Sequence, residues 1–200
     1  MTSRMHDIFG PGSNINVRIL KDYNRIKEIV DCCKGLGLKI VLTSGTFDLF
    51  HVGHSRYLEQ AKQYGDVLIV GTDSDEKVKK IKGPSRPIVA ENERMEILCH
   101  CRHVDMVFLK ELDDPKWHLI KTLRPDVLIT TQGTHNENEL VELRQHCGEI
   151  MVLESQATTS TTAKIRSIMI GPANKIKEKL ESTISELRNF LDNLTRSGGE

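Results

Sequence analysis

Along the chain, short apolar runs alternate with stretches whose apolar residues recur every three or four positions. Residues 1–16 contain Gly10, Pro11, Gly12, Ser13 and Asn14 and read as a flexible lead-in. A helix is predicted next, N-capped by Asp22, with Ile26, Ile29, Val30 and Cys33 on one face and Gly35 and Gly37 ending it. Lys39–Thr43 is a short apolar run suited to a buried strand, and Asp66–Gly71, Val104–Leu109, Asp126–Thr131 and Ile150–Leu153 repeat that character. Between them, Gly53–Tyr64, Ser74–Ile81, Glu91–Cys101, Pro115–Leu123 and Asn136–His146 have helical spacing, and Thr161–Ile168 begins one more helix.

Strands that alternate with helices predict an α/β fold, a Rossmann-like parallel five-stranded sheet with helices on both faces, over residues 17–170. Such sheets bind ligands beyond the carboxyl ends of their strands, where the strand order switches. Residues 171–200 form a separate pattern. Ile176, Leu180, Ile184, Leu187, Leu191 and Leu194 make one apolar stripe on a long C-terminal helix. That stripe fits either docking on the parent domain or the seam of a homodimer, and the spacing leaves both open.

Charge and composition narrow the function. The 28 basic and 28 acidic residues cancel, so no broad basic field favours nucleic acid as a partner. No apolar run reaches the roughly 18 residues of a membrane span, and the first residues lack the apolar core of a secretory signal. The five cysteines, Cys32, Cys33, Cys99, Cys101 and Cys147, lack framework spacing and suit reduced thiols in a cytoplasm. Cys99-His100-Cys101 with His103 has a superficial likeness to a metal site, but a helix turns the two thiols to different sides.

The chemistry concentrates in Gly45-Thr46-Phe47-Asp48-Leu49-Phe50-His51-Val52-Gly53-His54, where the first apolar strand gives way to a helix. A helix N-terminus offers N–H groups and partial positive charge to an anion. Gly45 and Gly53 leave room for a close backbone approach, and two histidines can donate to phosphate oxygens as charge builds in a transition state.

The run Gly45-Thr46-Phe47-Asp48 followed by His51-Val52-Gly53-His54 closely resembles the signature of the cytidylyltransferase-like nucleotidyltransferase superfamily. Further segments match in order: Lys82-Gly83 with Ser85-Arg86-Pro87 resembles its lysine loop, Glu91-Asn92-Glu93-Arg94 its E-x-R segment, and Ser160-Thr161-Thr162 its terminal phosphate motif. The resemblance implies that His51 and His54 bind a triphosphate and stabilise the transition state at its α-phosphorus. It implies that Lys82 neutralises the transferring phosphate and that Arg94 contacts nucleotide phosphates. Ser160, Thr161 and Thr162 would hold the β- and γ-phosphates, while Thr46 and Phe47 line the nucleotide site and Asp48 orients it. Mg²⁺ would enter through the nucleotide phosphates rather than through protein ligands. An acceptor phosphate already ionised near neutral pH would attack without a general base.

The chain looks most like the adenylyltransferase domain of heptose-1-phosphate adenylyltransferases, which implies ATP and a phosphorylated small molecule such as a sugar phosphate. A cytidylyltransferase using CTP and glycerol phosphate or an aminoalcohol phosphate is the alternative. Gln156-Ala157-Thr158-Thr159 replaces the R-T-x-G-I lead usual in those enzymes. The heptose enzymes in turn usually carry G-G-D where Thr131-Gln132-Gly133-Thr134-His135 stands here, so Gly133 marks a loop expected near the base and acceptor. Asp73 and Asp75 are candidate acceptor contacts, with helix capping as the plain alternative for Asp75. A reading of another class is a nucleotide-binding or regulatory protein that has kept the fold and lost turnover.

Overall fold

The computed structural model describes residues 14–154 and 179–184. Contacts divide the chain into two units, Met1–Thr158 and Thr159–Glu200. The lead-in up to Ser13, the Ser160–Thr162 motif and most of the C-terminal stripe lie outside the described residues. In the second unit, residues 179–184 are helical, with Leu180 and Ile184 exposed.

The first unit runs α1 (Ile15–Arg18), β1 (Ile19–Leu20), α2 (Tyr23–Gly35), β2 (Ile40–Gly45), α3 (Val52–Lys62), β3 (Val67–Asp73) and α4 (Asp75–Lys82). It continues with α5 (Glu91–His100), β4 (Met106–Lys110), α6 (His118–Leu123), β5 (Val127–Thr131), α7 (Glu137–Arg144) and β6 (Glu149–Leu153). All strand pairs are parallel, in the order β1-β4-β3-β2-β5-β6. The sheet thus has six strands rather than the five expected. The added one, β1, is two residues long and joins the edge through Ile19↔Val107 and Leu20↔Phe108. A two-residue strand is too short to show a period.

Alternation along the strands builds two cores. Ile40, Leu42, Val67 and Ile69 face α2, α6 and α7, while Val41, Leu68 and Val70 face α3 and α5. Both sheet faces are therefore covered, as a parallel sheet requires. Aspartates brace the amino-terminal edge. Asp66, Asp105 and Asp126 accept the Lys39, Leu68 and Ile40 N–H groups at 2.7–2.8 Å. Among the described residues no group of three or more His, Cys, Asp and Glu could hold a metal, the Cys99–His103 stretch included. No described helix is long and apolar enough to cross a membrane. The carboxyl edge is left to function, and the order reverses around β2, whose neighbours are β3 and β5.

Candidate active site at the carboxyl edge of the sheet

The turn between β2 and α3 is held in an unusual conformation. Phe47 and Leu49 both have left-handed backbones, φ 51° and 49°. For residues with a Cβ that conformation costs roughly 1–2 kcal/mol each. The turn is held from several directions. The Phe47 ring is buried, and Gly45 makes room for it: a Cβ at position 45 would meet Phe47 Cε2 at 3.0 Å. The space at Gly45 therefore serves the turn itself.

His51 is the N-cap of α3, and its Nδ1 accepts the Gly53 N–H at 3.1 Å. A nitrogen that accepts carries no proton, so the imidazole N–H sits at Nε2. The cap also consumes the Gly53 N–H, a donor that sequence logic offered to phosphate. His54 stacks on His51, with ring centroids 3.9 Å apart and planes 17° apart. Phe47 and Phe50 flank the His54 ring, each with its centroid at 5.4 Å. The two imidazoles form one braced unit at the positive end of an eleven-residue helix.

Asp48, almost fully buried, accepts the Ile88 N–H at 3.0 Å and the Val89 N–H at 2.9 Å. It also pairs with Arg86, Oδ2 to Nη2, at 2.7 Å. Asp48 thus holds the loop that follows Lys82. Gly83 opens that loop at φ 96°, a conformation that favours glycine. Lys82 lies at the end of α4 with no ion pair among the described residues. Loss of hydration and the neighbouring Arg86 lower its pKa from the usual lysine value. The Arg94 charge acts in the same sense, while Asp73 and Asp48 oppose it.

Arg94 overturns its expected role. It is 1% exposed, and every one of its five N–H donors has a protein acceptor. Nε donates to Val89 O at 2.9 Å. Nη1 donates to Thr46 O at 2.7 Å and Thr72 Oγ1 at 3.0 Å. Nη2 donates to Asp73 O at 2.8 Å and Asp75 Oδ1 at 2.7 Å. No donor remains for a phosphate. Arg94 instead ties the ends of β2 and β3 to the lysine loop, and it is neither a phosphate contact nor a surface ion pair. Asp75 is committed to Arg94, and the cap of α4 is Ser74.

The expected acceptor contact Asp73 lies at the end of β3, opposite Lys110 in register, and the two side chains pair at 2.9 Å. Lys110 was not legible from sequence, because only the register brings it to Asp73. Gly133 has φ 78° in the turn Thr131–Thr134, which is closed by the Thr134 N–H to Thr131 O at 3.1 Å. The next residue, His135, packs edge-on against Trp117, with ring centroids 5.0 Å apart, so the loops after β4 and β5 touch. Burial lowers the pKa of His135. A separate cavity of about 670 Å³ between α1 and α5, lined by Asn14, Ile15, Lys21, Met95 and Glu96 among others, holds none of these residues.

Residues 42–173 match the family described as cytidylyltransferase-like, more than half of the chain. The bifunctional protein HldE of Aliarcobacter butzleri is 38% identical over 156 residues, 77% of this chain and 32% of that protein. HldE of Sulfurimonas denitrificans is 40% identical over 150 residues, 74% of this chain and 31% of its own length. The chain thus spans about a third of these curated relatives. Among solved structures, a lipopolysaccharide core biosynthesis protein from Thermoplasma volcanium has a TM-score of 0.53 and 26% identity, covering 60% of this chain and 98% of that one. A pantoate-β-alanine ligase from Francisella tularensis, with a TM-score of 0.51 and 16% identity over 68% of this chain and 66% of its own, shares the fold alone. The matched span, together with the stacked His51 and His54 on a strained turn at the sheet's switch point, places this chain in the cytidylyltransferase-like family of nucleotidyltransferases.

Proposed function

We propose that this chain transfers a nucleotidyl group, AMP from ATP, to the phosphate of a small sugar phosphate and releases pyrophosphate. The observation that carries the reading is the stacked histidine pair, braced by Phe47 and Phe50 and joined through Asp48 to the Lys82 loop. His51, with its proton at Nε2, and His54 would donate to phosphate oxygens around the α-phosphorus. Lys82 would meet the charge on the transferred group. Attack by an acceptor phosphate oxygen, largely ionised above its second pKa of about 6, forms the new P–O bond as the bond to pyrophosphate breaks. No side chain has to remove a proton, so rate comes from positioning and charge stabilisation.

Mg²⁺ fits this scheme as a counterion carried by the triphosphate. Asp48 is taken up by Arg86 and the loop backbone, and among the described residues no group of three or more His, Cys, Asp and Glu could hold a metal, so its ligands would be phosphate oxygens. The resemblance to heptose-1-phosphate adenylyltransferase domains, and relatives that match this chain over about a third of their own length, support ATP and a sugar phosphate. The exposure of Leu180 and Ile184 is compatible with a second copy seated on the C-terminal stripe.

The test has two parts. Thermal stabilisation by ATP should exceed that by CTP at equal concentration with Mg²⁺, because the tighter ligand shifts the folding equilibrium further. Pyrophosphate release with a panel of sugar and polyol phosphates should appear with ATP and vanish in His54→Ala. A larger shift with CTP, and release only with CTP, would replace the adenylyl reading with the cytidylyl one. No release from any pair above the His54→Ala background would remove enzymatic turnover altogether.

A further inference from the structure

With Arg94 spent on protein acceptors, the phosphate-binding cation expected from the E-x-R segment has to come from elsewhere. Arg86 is the guanidinium nearest that role. Its side chain is 15% exposed and held on one nitrogen, Nη2, by Asp48 Oδ2 at 2.7 Å. Its Nε is buried with no hydrogen-bond partner among the described residues. Buried polar groups are nearly always paired, and an exception calls for a ligand or another cause. Its charge is also close enough to Lys82 to repel that ammonium. Crowding two cations is unfavourable by itself and becomes favourable when an anion sits between them.

Pinning the loop does not explain Arg86. Asp48 already binds the loop backbone through the Ile88 and Val89 N–H groups, and neither bond needs the guanidinium. What Asp48 adds for Arg86 is placement: one carboxylate oxygen holds one nitrogen and leaves the rest of the planar fork for another acceptor.

We propose that Arg86 is a phosphate-binding residue of this site, forming with Lys82 a two-cation cradle for the nucleotide's phosphate chain, and that Asp48 is the positioning residue that holds it in place. This rests on the nucleotidyl-transfer reading. Lys82 and Arg86 would contact non-bridging oxygens, whose negative charge is present in the ground state and redistributes as the bond to pyrophosphate breaks. Arg86 makes bonds that Lys82, a point charge at the end of a flexible stem, cannot make.

The test uses the full chain and MgATP or MgCTP, whichever the wild type binds more tightly. Arg86→Gln should weaken binding by about tenfold to a hundredfold, the range for losing a charge-assisted hydrogen bond. It should also move the alkaline limb of turnover to higher pH. The groups facing Lys82 are Arg86, Arg94, Asp73 and Asp48; removing the Arg86 charge leaves Asp48 and Asp73 less opposed, so the ammonium holds its proton longer. Arg86→Lys keeps the charge and should leave that limb in place. The limb reports the Arg86 charge beside Lys82, and the loss of affinity together with the Nε–H response reports contact with the phosphates. In the unmodified chain, the Arg86 Nε–H resonance should shift when nucleotide is added, while that of Arg94, bound to Val89 O, stays put. This readout survives even if Arg86→Gln fails to fold. An active wild type whose Arg86 Nε–H does not respond, or a folded Arg86→Gln variant with unchanged affinity, overturns the assignment of Arg86 alone. A wild type that binds neither nucleotide and releases no pyrophosphate overturns the nucleotidyl-transfer reading and this inference with it.

Discussion

Replacing Arg94 with lysine separates a buried clamp from a phosphate contact. Lysine keeps the charge and has three donors, so at most three of the five bonds to Val89 O, Thr46 O, Thr72 Oγ1, Asp73 O and Asp75 Oδ1 can be remade. At least two acceptors then lose the Arg94 donor, at about 1–3 kcal/mol for each one that is buried and finds no other partner; Asp75 is part-exposed, and Thr46 O keeps the Thr72 hydroxyl. The expected destabilisation is about 2–4 kcal/mol after partial relaxation. In a chain of this size each kcal/mol lowers Tm by roughly 2–4 °C, so the melting point should fall by roughly 4–16 °C. The fall should appear without nucleotide, in a thermal or denaturant melt of the free protein. The clamp account is refuted if Arg94→Lys melts within about 1 °C of wild type while nucleotide affinity drops. That result would return Arg94 to the phosphates.

Two further outcomes follow from the same geometry. Gly148→Ala should destabilise by roughly 1–3 kcal/mol, since a Cβ there would lie 2.6 Å from Asp126 O, a backbone atom fixed between β5 and its neighbours; a denaturant midpoint equal to wild type would show that the β5–β6 junction gives way freely. Turnover should fall with rising pH at a value below the usual lysine range of about 10.4, because the Lys82 pKa is lowered and its charged form is the useful one. A pH–rate profile flat through that region, or one whose limb is unmoved in Lys82→Arg, would detach Lys82 from the chemistry.

The elements on the face of the sheet were legible because each carries its own period. Ile26, Ile29, Val30 and Cys33 are spaced for one helix face, and they are the buried residues of α2. The turn motif was legible because its residues are consecutive. What escaped depends on segments that meet only in space. Arg94 draws its acceptors from the turn after β2, from β3, from α4 and from the loop before α5, and no local pattern announces that a cation on a helix will be swallowed by four segments. Asp48 reaches the Ile88 and Val89 N–H groups, an acceptor-to-backbone contact that side-chain patterns do not encode. Lys110 meets Asp73 through strand register. β1 escaped because two residues carry no alternation. The packing of the Phe47 ring against Gly45 depends on the strained turn, which residue spacing does not encode. The local rules failed where the turn is strained and the site is assembled, as expected of a functional region.

Nucleotidyl transfer at the His51–His54 pair would make and break bonds at the α-phosphorus. Incubating the chain and a sugar phosphate with ATP labelled at either the α- or the γ-phosphate tests it directly. In adenylyl transfer, α-label should move into the sugar product while γ-label leaves in pyrophosphate, and both movements should stop in His54→Ala. Transfer of γ-label to the sugar, or release of label at an equal rate from His54→Ala, would contradict it.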